Sequence, residues 1–295
     1  MEKTYRNGEV IIKEGDSGKS FFRILEGSAD VYSDYGKLEQ LRLAGIEAGE
    51  YFGEMAILEE YPRSATIVAN GDVSVIEIPG DEMNAYFARN PEQIFELMTH
   101  IALRIKAMIK DAEEAKALLK EVREADEIKR NKSLFSKIKK HIDLYQSNKN
   151  KVTEPNAKAL RDAFAKVAGE GSGRIETYRK GDVVFEEGEE GEYMYILQGG
   201  KVGLYRDKQK FSDLTPVAFF GETEMIVGGA RTCAAVSESD DTYVEVIGRA
   251  DLEPMFVSCP VKIDLSLQHL SYCLRRCNVD FLNICKQITD TYTGQ

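Results

Sequence analysis

Two stretches of this chain carry residue types that together could hold a small anion attached to a sugar. Phe52–Thr66 reads FGEMAILEEYPRSAT, and FGETEMIVGGARTCA at Phe220–Ala234 repeats it with changes. In each, a Gly-Glu pair precedes an arginine by the same interval: Gly53 and Glu54 before Arg63, Gly221 and Glu222 before Arg231. Glycine lets backbone approach a phosphate closely. The residues that follow, Met55 and Ala56 in one copy and Thr223 in the other, can open a short helix whose free N–H groups point at an anion. Arginine offers a planar fork for two phosphate oxygens. Glutamate accepts hydrogen bonds from a sugar hydroxyl.

Both stretches resemble the phosphate-binding cassette of cyclic nucleotide-binding domains, the family of catabolite activator proteins, protein kinase A regulatory subunits and gated channels. The resemblance implies that Gly53, Glu54, Arg63 and Ser64, with Met55, Ala56 and Ala65 around them, hold the ribose 2′-hydroxyl and the cyclic phosphate. In the second copy it falls on Gly221, Glu222, Thr223, Arg231 and Thr232. The first copy follows the pattern throughout. The second departs from it: Glu224 stands where the first has Ala56, and Cys233 where the first has Ala65. An acid near a bound phosphate repels it unless it points away. The second copy is therefore a weak site, a site for something else, or structural.

The resemblance also implies the ligand, cAMP at the first site. cGMP is the alternative, above all at the second site, where the hydroxyl of Thr232 could meet a guanine amino group. The base should be capped from the helix after each roll: Arg104 or Met108 in the first copy, Tyr272 or Arg275 in the second, by stacking on a purine.

The elements that must position these residues repeat as well. Thr4-Tyr5-Arg6-Asn7-Gly8-Glu9-Val10 matches Thr177-Tyr178-Arg179-Lys180-Gly181-Asp182-Val183, and Glu14-Gly15-Asp16-Ser17-Gly18 matches Glu187-Gly188-Glu189-Glu190-Gly191. Short β-type stretches lie between the landmarks: Val10–Ile12, Phe21–Leu25, Ala29–Tyr32, Thr66–Ala69 and Val73–Ile78. In the second copy they are Val183–Phe185, Tyr193–Leu197, Lys201–Tyr205 and Thr242–Ile247. Glycine-bearing turns should separate them, which reads as an antiparallel roll. The expected fold class is α+β: two antiparallel β-roll (jelly-roll) domains, each followed by helices and joined by a long helical segment. The expected division is a first domain over 1–125, a helical linker over 126–154 and a second domain over 155–295.

Apolar residues from Ile94 through Met98, Ile101, Ile105, Leu119 and Val122 step by heptads, a seam too long for one roll to bury. Either a helix of another chain covers it or the second domain folds back on it; a homodimer through helix 94–122 is the expectation. Ile263 to Ile288 forms a similar seam, with Asn278 and Asp280 as weak helix formers beside it. Lys129–Tyr145 reads as a basic solvated helix, and Pro155 opens a further helix to about Val167.

With 295 residues the chain should hold about two domains. Net charge is −11, which argues against nucleic acid as a partner. No apolar run is long enough to cross a membrane, and the start MEKTYRNGEV lacks the apolar core of a signal peptide, so a cytoplasmic location is expected. All five cysteines lie in the second half with no CxxC, which suits reduced thiols. His269, Cys273 and Cys277 share a helix face that reads as small apolar surface, and no metal site is expected. The histidines His100, His141 and His269 are scattered; with no nucleophile elbow, P-loop or HExxH, the chain does not read as an enzyme. It reads as a cyclic nucleotide receptor that turns ligand binding into helix rearrangement on an unknown effector protein. Two alternatives stand beside that reading. One is a transcription regulator of the catabolite activator type, which needs a helix-turn-helix that Lys129–Lys166 does not display. The other is a kinase regulatory subunit, whose relatives carry an arginine-rich inhibitor segment ahead of their tandem domains, whereas here the first domain begins close to Met1.

Overall fold

The computed structural model describes residues 1–38, 40–54, 63–124, 132–149, 162 and 174–293. Alternation of apolar and polar residues builds the first roll from β1 (Glu2–Tyr5), β2 (Val10–Ile12), β3 (Ser20–Ser33), β4 (Leu41–Glu47), β5 (Tyr51–Phe52) and β6 (Thr66–Pro79). All pairings are antiparallel, in the order β1-β6-β3-β4, with β2 on β6 and β5 on β3. The expected strand pairs Phe21–Leu25 with Ala29–Tyr32, and Thr66–Ala69 with Val73–Ile78, are each one continuous strand, β3 and β6. Gly27 and Gly71 sit inside them at φ 84° and 80°, and the β3–β6 register shifts on both sides of Glu26. These glycines absorb bulges instead of making turns. The core between the faces holds Ile12, Phe22, Ile24, Phe52, Ile67 and Val75, with Phe22 stacked on Phe52 at 5.2 Å.

The second roll repeats the plan with β7 (Arg174–Tyr178), β8 (Val183–Phe185), β9 (Tyr193–Gly199), β10 (Val202–Arg206), β11 (Gln209–Leu214), β12 (Ala218–Phe220), β13 (Ala234–Ser237) and β14 (Thr242–Gly248). They form two four-stranded sheets, β11-β10-β13-β8 and β12-β9-β14-β7. Its core repeats the aromatic stack, with Tyr195 on Phe220 at 5.2 Å and Phe185 on Tyr195 at 5.6 Å.

Helices follow each roll: α1 (Met83–Arg89), α2 (Pro91–Glu124) and α3 (Lys132–Asn148) after the first, α4 (Glu222–Val227) within the second, and α5 (Leu252–Ser258) and α6 (Pro260–Thr293) after it. Both long helices open on proline at the position where its missing N–H costs nothing. Asn278 and Asp280 do not interrupt α6, because Leu274, Ile284, Cys285 and Ile288 bury its apolar face on either side of them and tertiary packing outweighs propensity. Lys129 and Arg130 lie outside the described residues, as does the helix expected from Pro155 to Val167, apart from Asp162.

The described residues pack as two units. One holds Met1–Met83, Arg104–Pro155 and Ser271–Gln295, the other Asn84–Leu103 and Asn156–Leu270. In the first unit, Ala115, Leu118, Leu119 and Val122 of α2 pack with Ile138 of α3 and with Ile284 and Ile288 of α6. In the second, Arg249 places its guanidinium 3.9 Å above the Phe95 ring of α2, and Ile94, Met98 and Ile101 are buried. The C-terminal part of the heptad seam is thus covered by helices of its own chain. Among the described residues no helix is long and apolar enough to cross a membrane.

Candidate functional site

Each arginine of the repeated stretches is fixed first by its backbone. Arg63 donates its N–H to Asp16 O at 2.9 Å and accepts from the Gly15 N–H at 2.9 Å; Arg231 donates to Glu189 O at 2.7 Å and accepts from the Gly188 N–H at 2.9 Å. The Glu-Gly-Asp and Glu-Gly-Glu landmarks are therefore the turns that aim the arginines. The acids opening these turns are tied down alike: Glu14 Oε2 accepts from the Asp34 N–H, and Glu187 Oε2 from the Asp207 N–H, both at 2.9 Å.

The guanidinium groups then turn inward. Arg63 donates from Nη1 to Gly53 O at 2.5 Å and from Nη2 to Ser20 O. Arg231 donates to Gly221 O at 2.6 Å and Tyr193 O at 2.5 Å. Arg63 is 8% exposed and Arg231 4%. Burial pushes the Arg63 guanidinium below its usual range, opposed by the Glu54 carboxylate. Both cassette glycines have positive φ, 79° at Gly53 and 73° at Gly221. A Cβ on Gly53 would lie 2.6 Å from Arg63 Nη1, and one on Gly221 2.8 Å from Arg231 Nη1. Glycine is required here both for the left-handed backbone and for room beside the arginine.

The glutamates sit deep. Glu54 is 2% exposed; its Oε1 accepts from Arg104 Nη1 at 2.9 Å, while its Oε2 has no hydrogen-bond partner among the described residues. Arg104, which with Met108 is a candidate to cap the base, thus holds the cassette glutamate. In the second copy Glu222 lies 3.4 Å from His269 Nε2 on α6, and His269 stands 5.4 Å from the Phe219 ring. Burial works to raise the Glu222 carboxyl, but His269 and Arg231 hold it below the ordinary carboxylate value. Sequence reasoning missed this pairing and placed His269 on a cysteine-bearing face. The only signal available was its place on the helix after the roll, the place Arg104 has in the first copy.

Ser64 is exposed and Ala65 buried; Met55 and Ala56 lie outside the described residues. In the second copy Gly221 precedes α4, which begins with Glu222 and Thr223, and Thr232 Oγ1 donates to Glu224 Oε1 at 3.1 Å. Met108 is half-buried on α2, and Tyr272 and Arg275 lie on α6. The second unit also holds a cavity of about 410 Å³ whose lining includes Arg174, Tyr193, Glu245 and Lys262. Lys262 Nζ donates to both Glu245 oxygens, at 2.7 and 2.8 Å, a buried ion pair that no sequence spacing announced.

Both cassettes thus present a buried arginine, a left-handed glycine and a buried glutamate reached by a cationic or imidazole side chain of a long helix. The family model described as "Cyclic nucleotide-binding domain" matches residues 2–90 and 175–258. The chain is 26% identical over 250 residues to a cAMP-dependent protein kinase regulatory subunit of Debaryomyces hansenii, covering 84% of this chain and 43% of that one. It is 45% identical over 74 residues to the subunit of the same description in Colletotrichum orbiculare, covering 25% and 18%. A solved structure of the regulatory domain of Toxoplasma gondii PKA with cAMP aligns at 16% identity over 90% of this chain and 82% of that one, with a TM-score of 0.28. The chain spans less than half the length of the curated relatives it matches.

Proposed function

The chain belongs to the cyclic nucleotide-binding domain family, and from that premise we propose that its first copy is a cAMP receptor whose occupancy is read by α2. The observation that carries this is the state of Glu54. Its carboxylate is buried, one oxygen is held by Arg104 of α2, and the other has no partner among the described residues. A buried carboxylate oxygen without a partner is costly, and a ribose hydroxyl satisfies it. The cyclic phosphate takes Arg63, which trades carbonyl partners for charged oxygens; Ser64 and the backbone around Gly53 complete the cradle. Because Arg104 ties Glu54 to α2, a ligand on Glu54 changes the interactions of that helix. Such a ligand shifts the helix only as far as it prefers one arrangement over the other.

The reading is of a regulatory protein without catalysis, cytoplasmic, acting on an effector protein. Kinship with kinase regulatory subunits favours a protein kinase as that effector over promoter DNA, and the net charge of −11 points the same way. As functional divisions we keep 1–125, 126–154 and 155–295. A homodimer through 94–122 would have less of the seam to bury, since α3 and α6 lie on Ala115, Leu118, Leu119 and Val122.

Calorimetric titration of nucleotide-free protein with cAMP tests the first site. Loss of a buried charged partner commonly costs about 2–5 kcal/mol, so Arg63→Ala should weaken binding by about tenfold or more. Unchanged affinity would sink the assignment.

A further inference from the structure

The second copy departs from the first at Glu224, and the structure gives that side chain a definite place. Glu224 is 7% exposed. Its Oε1 accepts a hydrogen bond from Thr232 Oγ1 at 3.1 Å, and its Oε2 lies 3.7 Å from Arg231 Nη1. Arg231 and Thr232 are the counterparts of Arg63 and Ser64, the side chains that take the phosphate in the first-site reading. A carboxylate from the same chain is already seated on both. We infer that Glu224 is a built-in counter-anion that stands in for phosphate and closes the second pocket to cyclic nucleotides.

Three further observations support it. Beyond Glu224 and two carbonyls, the Arg231 guanidinium lies 4.3 Å from the Phe185 ring centre and 5.9 Å from that of Tyr195, while its buried Nε has no hydrogen-bond partner among the described residues. In the first copy Phe22 keeps a ring where Tyr195 stands, but Ile12 replaces Phe185, so the ring nearer the arginine is not shared. Secondly, a Cβ on Gly191 would meet both Glu224 Cβ and Arg231 Nη1, so this glycine turn packs directly against the pair. Thirdly, the neighbouring Cys233 thiol is pushed up to about 11, by burial first and by Glu224 second, which places the acid's charge inside this pocket. An entering phosphate would have to displace the carboxylate and then lie beside its charge in a site shielded from water, where like charges repel strongly.

The inference rests on the first-site reading only in taking cAMP as the probe, so the test is read with that site silenced. Calorimetric titration is run on the full chain carrying Arg63→Ala, alone and combined with Glu224→Ala, Glu224→Gln, or Glu224→Ala plus Arg231→Ala, with cAMP and in parallel with cGMP. Expected is binding to the Arg63→Ala chain weaker than to the natural chain by about tenfold or more. With Glu224→Ala added, one nucleotide should bind per chain, tighter by about tenfold or more. Glu224→Gln keeps the acceptor for Thr232 without the charge; it should gain less, and it decides the matter if circular dichroism shows the alanine variant unfolded. Removing Arg231 should abolish the gain. The inference is overturned if Arg63→Ala alone binds one nucleotide as tightly as the double variant, or if folded Glu224 variants gain affinity for neither nucleotide. Failure of the first-site reading looks different: the natural chain and Arg63→Ala would then titrate alike.

Discussion

At the scale of single residues, the two copies handle one problem in opposite ways. A buried arginine needs a counter-charge; in the proposed reading the first copy takes it from a ligand and the second from Glu224. The same burial that shapes these pockets governs the cysteines. The Cys233 thiol is held at about 11 and that of Cys285 at about 12, burial being the main cause in both. At pH 8 a thiol with a value near 11 is thiolate in only about 0.1% of molecules, and the thiolate is the nucleophile. Iodoacetamide at pH 8 should therefore leave Cys233 and Cys285 of the native protein unmodified while both label fully in urea. Peptide mass spectrometry reads the outcome, and equal labelling in both conditions would contradict the burial described.

At the scale of elements, heptad spacing carried the helices well and glycine carried the strands poorly. Ile94 to Val122 announced α2, and Ile263 to Ile288 announced α6, because a 3.6-residue period sustained over many turns has few other meanings. Gly27 and Gly71 looked like turns, since the sequence shows only that φ is free there; whether a free residue bends the chain or absorbs a bulge is decided by the partner strand. The cassettes were legible because they repeat with fixed spacing. The contacts of Glu54 with Arg104, and of Glu222 with His269, were not, since nothing local links residues so far apart in the chain. What covers the seam was open between two answers, and α3 and α6 supply one of them. Ile138 is fully buried where α2, α3 and α6 meet in the first unit. Ile138→Ala should cost about 2–5 kcal/mol through lost burial and the cavity left behind. A urea midpoint that does not move would mean the three helices are not packed as described.

At the scale of the whole molecule, the tandem repeat in sequence is not a tandem pair of bodies. The first unit takes segments from both ends of the described chain, and α2 and α6 each contribute one end to either unit. A chain ended after Leu270 would keep the complete second roll but remove Ile284 and Ile288 from the first unit's helical cluster. We expect the first unit to lose about 4 kcal/mol or more, seen as a lower urea midpoint for the signal of its residues. A first-unit transition unchanged by that truncation would contradict the interleaving.

The pairing order of the first roll also sets a timetable for its birth. β6 is the last strand of that roll in the chain, yet β1, β2 and β3 all pair with it. While the polypeptide is threading out of the ribosome, β1 and β2 have no strand partner, and β3 has only β4 and β5, until Pro79 has cleared the exit. At about 5–20 residues per second the stretch from Ser33 to Pro79 takes roughly 2–9 s, during which the long strand β3 offers an open edge to any neighbouring nascent chain.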